Sequence, residues 1–235
     1  MFPHITFGKN IGYTLLKRLG LRFRQLRPFH VKGDPEKKKA FKEELLPKIS
    51  ALQQKLGVPD VRVFTMDEHR MGLMPIHRRQ WCFPGQTTKA IFMGYQWVWV
   101  YGFVDPSTGE NHHYLATHLN RQVFEMILQT FAQDAGIDEK KPILLVLDQA
   151  KAHQRAQLPQ GIHIEFLPPY SPELQPAERL WPLMNECIAN QLVTGVDDLW
   201  NRVEKRCKWM MEKGKNIIQN LTHFHWWPKP KILIN

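Results

Sequence analysis

The chain has 235 residues, with 32 Lys and Arg against 22 Asp and Glu for a net charge of +10. At ~150 residues per domain that length predicts one sizeable domain with an appendage. A hydrophobic content of 43% with 11% aromatics excludes a fibrous or unordered chain. The longest apolar stretch, residues 90–104, falls short of the ~18 residues that a membrane span needs. No apolar signal core follows Met1-Phe2-Pro3-His4. Three scattered cysteines, Cys82, Cys187 and Cys207, form neither a disulfide framework nor a C-x-x-C zinc motif, which points to a reducing cytosol.

In chain order, Gly12-Tyr13-Thr14-Leu15-Leu16-Lys17-Arg18-Leu19 has the spacing of a short amphipathic helix closed by Gly20. A basic extended arm follows, where Leu21-Arg22-Phe23-Arg24-Gln25-Leu26-Arg27 alternates with period two. Asp34-Pro35-Glu36 then offers an N-cap, a proline at the first helical position and an acid for the first turn. Phe41, Leu45, Leu46, Ile49, Leu52 and Leu56 predict a helix over 35–56 that Pro47 kinks or divides. Gly57 and Pro59-Asp60 end it and mark a domain boundary.

Beyond that boundary strands come first. Residues 61–66 form a short β-branched run reaching Asp67, and 90–96 and 97–104 read as paired strands. Asp105-Pro106-Ser107-Thr108-Gly109 is a turn leading to a returning strand at 112–116. A helical stripe of Val123, Phe124, Ile127, Leu128 and Phe131 ends at Gly136. Residues 143–147 are continuously apolar, as in a strand buried on both faces, and stop at Asp148. Another strand is predicted over 162–167, an extended loop over 168–172, and helices over 177–192 and 197–211. Strands that precede and interleave with helices predict an α/β sheet covered by helices.

Charge is uneven along this scheme. Residues 1–33 hold seven Lys and Arg and no acid, and 201–235 hold eight basic and two acidic residues. The segment between them has 17 basic and 20 acidic residues. Basic ends on a slightly acidic body suit a polyanion gripped by the ends and cations held by the body; basic termini that merely aid solubility are the other reading.

Three carboxylates stand at predicted element ends: Asp67 after one strand, Asp148 after another, and Glu178 in the first turn of the helix opened by Pro176-Ala177. Neighbouring strands would put both aspartates on one sheet edge, with Glu178 beside them. Oxygen-only ligand sets of this kind suit Mg²⁺, and a pair of such ions serves phosphodiester chemistry. Taken singly, each residue is also an ordinary turn former or helix-dipole partner, and spacing leaves both readings open.

The surrounding residues add a resemblance. Tyr170-Ser171-Pro172-Glu173-Leu174-Gln175-Pro176-Ala177-Glu178-Arg179-Leu180-Trp181 closely resembles the Y-S-P-x-L-N-P-x-E-x-x-W signature of mariner-related DDE transposases, in particular the 630-type bacterial insertion-sequence family. Leu147-Asp148-Gln149-Ala150-Lys151-Ala152-His153 resembles its second-aspartate motif, and Met66-Asp67-Glu68-His69-Arg70-Met71-Gly72-Leu73 its first. Gln149 and Gln175 stand where the family usually has Asn. The stretch Arg79-Gln80-Trp81 and Pro84-Gly85-Gln86 is similar as well, and the likeness runs from about residue 10 to 227.

What the resemblance implies is an RNase H-like mixed sheet flanked by helices, with a small basic helical N-terminal appendage. It implies Asp67, Asp148 and Glu178 as catalytic residues and ligands of two Mg²⁺ ions, with Mn²⁺ as a substitute. The implied activity is DNA cleavage at transposon ends and strand transfer into target DNA, at TA dinucleotides and as a homodimer. Residues 1–33 resemble the remnant of a helix-turn-helix region, 34–60 a helical linker, and 61–235 the catalytic domain. Lys17, Arg18, Arg22, Arg24, Arg27, His153 and Arg179 are the candidate DNA contacts. For His153, orienting the loop after Asp148 is a second functional role, with capping or packing an equal candidate; for Arg179 the other role is pairing with Glu173 or Glu186; Glu68 reads as structural over assisting a metal, and Trp181 as core over a base-stacking platform. Asp67 arrives too early for two complete reader modules, so a split or a truncated element is expected, the split form having an upstream helix-turn-helix product as partner. Partners are double-stranded DNA and no membrane, in a nucleoid-associated cytoplasmic setting. The rival reading is a catalytically silent, transposase-derived DNA-binding or regulatory protein.

Overall fold

The computed structural model describes residues 10–22, 31–79, 81–85 and 94–228. Among them, five strands form one sheet: β1 (Arg62–Gly72), β2 (Trp97–Val104), β3 (Asn111–Ala116), β4 (Ile143–Leu147) and β5 (Ile162–Phe166), in the order β3-β2-β1-β4-β5. β1, β2 and β3 form an antiparallel meander, whereas β4 and β5 add parallel strands on the other side of β1. The helices are α1 (Ile11–Arg18), α2 (Pro35–Leu56), α3 (Arg121–Asp134), α4 (Lys151–Gln154), α5 (Leu180–Asn185), α6 (Val196–Glu212) and α7 (Lys215–Thr222).

Alternation along the strands sorts the cores. Phe64 and Met66 of β1, Tyr101 and Phe103 of β2, and Ile143, Leu145 and Leu147 of β4 pack under the Phe124, Leu128 and Phe131 stripe of α3. The opposite face divides in two. Val98, Val100 and Val104 meet α5, α6 and α7. Val63, Leu144 and Val146 meet Phe41, Leu45 and Ile49 of α2, together with Trp227. The segment read as a linker thus contributes a buried helical face to the body.

Local chemistry accounts for the element ends. Asp34 accepts from the amides of Glu36 and Lys37, and Gly57 ends α2 in the left-handed region at φ 66°. Pro47 does not divide α2, which runs unbroken for 22 residues. It lies on the exposed face, where water can satisfy the carbonyl left without a donor. The β2–β3 turn is closed by Asp105, whose carboxylate accepts from the Ser107 amide and the Ser107 and Thr108 hydroxyls.

Two sequence expectations need correction. β1 does not stop before Asp67 but continues to Gly72, because β2 pairs with it along residues 65–72. A continuous helix over 177–192 is replaced by a 3₁₀ turn, Pro176–Arg179, and the short α5. Pro182 has no N–H to offer the Glu178 carbonyl, so a regular α-helical turn cannot form there. Of the strand expected over 90–96, residues 90–93 lie outside the described residues and 94–96 are not strand.

Candidate active site

The parallel pairing of β1 with β4 ends at Thr65 opposite Val146, and two residues further along each chain stand Asp67 and Asp148. Asp67 shares the face of Val63, because side chains alternate with period two, and Asp148 stands just past the end of β4. β4 ends at Leu147 while β1 runs on, so the edge of β1 facing β4 is open beside Asp67. The loop after β5 and the 3₁₀ turn bring Glu178 to the same place. Asp67, Asp148 and Glu178 all line one cavity of about 390 Å³, closed by Leu167, Pro168 and Tyr170 among others. They are nevertheless not drawn into a finished chelate: among the described residues no three His, Cys, Asp or Glu are grouped so as to hold a metal ion. Three like charges without cations between them repel one another.

Each carboxyl has a different environment. Asp67 is pushed up to about 7, first by desolvation; the Trp181 hydrogen bond works against this, and the charges of Glu68 and Glu178 add to it. Its Oδ2 accepts from Trp181 Nε1 at 2.8 Å. Asp148 is held below its ordinary range, chiefly by its hydrogen bond from His153. Oδ1 of Asp148 accepts from His153 Nδ1 at 2.8 Å and from the Ala150 amide at 3.0 Å. Glu178 lies on the exposed rim, its carboxyl raised by partial desolvation and then by the charge of Glu173.

His153 is the hinge pin of this arrangement. Its ring is only 4% exposed, packed on Phe124, with Nδ1 on Asp148 and Nε2 2.8 Å from Glu68 Oε1. Burial lowers its basicity, but bonds to the two carboxylates more than compensate and hold it up to about 10. It is therefore a buried imidazolium that ties the end of β4 to β1. Both ring nitrogens point to carboxylates, which is the loop-orienting arrangement expected of it after Asp148. Glu68, one residue after Asp67, faces the other side of the sheet and serves His153.

The remaining candidates fall as follows. Lys17, Arg18 and Arg22 are exposed on and after α1, which buries none of its residues; Arg24 and Arg27 lie outside the described residues. Arg179 is exposed, donates to the Leu221 carbonyl at 3.2 Å and lies over Phe224. Of the acids expected beside it, Glu173 pairs with Lys38 and Glu186 with Arg78.

Sequence reading missed several contributors. Gln175 donates to the Met66 carbonyl at 2.8 Å and bonds Thr65 through its other side-chain atom, locking the loop to β1 beside Asp67. Gln149 donates to the Leu167 carbonyl at 3.0 Å, tying the loop after β4 to the end of β5. The substitution of Gln for Asn in both motifs drew attention to these positions but not to their partners. Trp181, read as core, reaches a carboxylate, and nothing local in the sequence signals that contact.

A family model described as DDE superfamily endonuclease matches residues 62–200, more than half of the chain. This chain belongs to that family. The match covers all five strands of the endonuclease domain and all three carboxylates. Among curated proteins, an uncharacterized protein of Sinorhizobium fredii, y4pE/y4sA, is 27% identical over 117 residues, covering 46% of this chain and 85% of that one. Similar solved structures include the Mos1 Strand Transfer Complex, at 15% identity, a TM-score of 0.54 and 90% of this chain. The Mos1 mariner paired end complexes with Mn and with Mg match with TM-scores of 0.57 and 0.55 at 15% and 16% identity, covering 92% and 90% of this chain. At such identities the likeness establishes the fold, the RNase H-like sheet of the Mos1 transposase. The chain spans only 65% to 67% of the length of those Mos1 chains.

Proposed function

We propose that this DDE endonuclease domain works in transposition, cutting DNA at transposon ends and joining the freed ends to target DNA. The observation that carries the reading is the shared cavity: Asp67 and Asp148, two residues past the last parallel pair, line it together with Glu178. The donor set suits a hard divalent cation. Asp67 is a desolvated carboxyl whose neighbours Glu68 and Glu178 carry its own sign and whose hydrogen-bond donor, Trp181, is neutral. The two bonds accepted by Asp148 fall on Oδ1, leaving Oδ2 without a hydrogen bond among the described residues.

Asp67, Asp148 and Glu178 would hold two Mg²⁺ or Mn²⁺ ions, which when bound activate an attacking oxygen and stabilise a leaving one at a phosphodiester. The protein's own share is positional. His153 keeps the end of β4 against β1, and Gln149 and Gln175 brace the loops that carry Asp148 and Glu178. Tyr170, in the left-handed region at φ 57° and half exposed, stands at the cavity wall where a substrate strand would enter. Lys17, Arg18, Arg22, Arg24, Arg27 and Arg179 supply phosphate contacts in this reading, with residues 1–33 a remnant of a helix-turn-helix region, 34–60 a linking helix and 61–235 the catalytic domain. Action as a dimer on terminal-repeat DNA, insertion at flexible TA steps and an upstream helix-turn-helix product as partner belong to the same proposal. No described helix is long and apolar enough to cross a membrane.

The test is strand cleavage and joining on terminal-repeat DNA with Mg²⁺ or Mn²⁺. Wild type cuts and joins, and Asp148→Ala loses at least about a hundredfold in rate, as expected when an oriented electrostatic group is removed. Equal activity in both would eliminate the proposed site. DNA binding without cleavage in the wild type would favour the silent, regulatory reading.

A further inference from the structure

Trp181 occupies an unusual seat for a core tryptophan. It is 8% exposed and belongs to the apolar cluster of β2, α5 and α6. A buried indole needs an acceptor for its N–H, and backbone carbonyls usually supply one. Here the acceptor is the Asp67 carboxylate, across 114 positions of sequence, at 2.8 Å.

Two further residues hold the ring there. Gly102 lies directly opposite Asp67 in the β1–β2 register, so any side chain on it would share the face of Asp67. A Cβ built on Gly102 would come within 2.7 Å of Trp181 Cη2 and 3.3 Å of Cζ3. The missing side chain is the space through which the indole reaches the carboxylate. On the other flank His69, two residues past Asp67, stacks on the indole with centroids 4.9 Å apart and planes 9° from parallel. His69 is in turn held by Asn185 Oδ1 at 2.9 Å. Asn185, His69, Trp181 and Asp67 therefore form a continuous contact chain from α5 to the cavity.

We infer that Trp181 is a positioning residue: its Nε1–H engages Oδ2 of Asp67, fixes the carboxylate plane and directs the remaining oxygen to the cation site, with Gly102 and His69 as the slot that holds the ring. The inference rests on the reading of Asp67 as a metal ligand. Outer-sphere donors of this kind set ligand orientation, and their loss weakens metal affinity ~10–100-fold. Glu178 and Trp181 lie three residues apart on one short helical segment, so the residue offering a carboxylate and the residue orienting its counterpart are delivered together.

The experiment is direct Mn²⁺ binding to the full chain, followed by loss of the free-ion electron paramagnetic resonance signal, for wild type and Trp181→Phe. A second variant carries the benzothienyl analogue of tryptophan at this position, which keeps the ring shape and replaces N–H by sulfur. Melting curves in chelator establish that each variant is folded, and the analogue keeps the test decisive if phenylalanine leaves too large a gap. The expected result is a Kd for Mn²⁺ raised by about tenfold or more in both variants. In the cleavage assay the Mn²⁺ concentration for half-maximal rate should rise in parallel, while the rate at saturating Mn²⁺ recovers, a split that a purely structural tryptophan would not produce. Mn²⁺ affinity within twofold of wild type in the folded variants would overturn the inference and leave the metal reading intact. Absence of Mn²⁺ binding in the wild type would overturn the metal reading itself, and this inference with it.

Discussion

Asp67 carries a charge that its surroundings disfavour, and this has a measurable consequence before any cation is added. Its folded-state value near 7 lies above the unfolded 3.8, so the folded protein binds the extra proton between those limits. Stability of the metal-free protein contributed by this group is present at low pH and lost as pH rises toward and through about 7. Thermal melts in chelator should therefore show stability falling from pH 5 to pH 8 in the wild type. Asp67→Asn, which keeps an oxygen for Trp181, should flatten that slope and be more stable at pH 8 by on the order of 2–4 kcal/mol. Added Mn²⁺ should restore wild-type stability at pH 8 and do little for the variant. Parallel slopes in the two proteins would refute the assignment of the desolvated charge to Asp67. The identity of Asp67, Asp148 and Glu178 as the residues of interest was legible in the sequence, because short motifs flank each of them. Their separate electrostatic states were not, since those depend on Trp181, His153 and Glu173 arriving from elsewhere in the chain.

Elements were legible to the extent that their signals are local. α2 starts and ends where Asp34-Pro35 and Gly57 place it, and α3 starts after Asn120, whose side chain caps Val123. β1 was read too short because its extension past Met66 is stabilised by pairing with β2, which period and composition do not encode. Helices were read too long after Pro176 because the apolar pattern persists through Pro182, where the backbone loses a donor. Turns show the same dependence on context. Gly109 has φ 74°, and a Cβ there would collide with the Lys215 carbonyl of α7; Gly136 has φ 60° with open space around it. Gly136→Ala should cost only the left-handed backbone, about 1 kcal/mol, and Gly109→Ala at least about 1–2 kcal/mol more, measured by chemical denaturation. Equal losses would mean that the β2–β3 turn is not docked on α7.

At the level of the whole molecule, the sheet serves to bring distant carboxylates to one edge while basic residues remain outside it. Lys17, Arg18 and Arg22 sit on the exposed α1 end, separated in sequence from the acidic cavity. Replacing all three by Ala should weaken DNA binding uniformly across sequences and reduce the slope of log affinity against log salt by ~2–3, about 0.9 for each phosphate left without its basic partner. Fluorescence anisotropy over a salt series measures it, and an unchanged slope would remove α1 from the DNA path. The domain match ends at residue 200, yet α6 and α7 continue the core beneath β2 through Val203, Met210 and Ile218. The packed body thus extends beyond the matched segment, and truncation at 200 should strip the α6 and α7 part of the cover from the Val98–Val100 face, leaving α5.

By itself the sequence determined the α/β class, most of the strands and longer helices, and the three acidic residues with their motifs, because helix caps, strand alternation and short signatures act over a few residues. Only the tertiary structure decided that Asp67 is half-buried mid-strand, that His153 bridges Glu68 and Asp148, and that Trp181 reaches Asp67 past a side-chain-free Gly102. Those relations join positions 85 and 114 residues apart. They arise from strand order and register, and no local pattern carries that information.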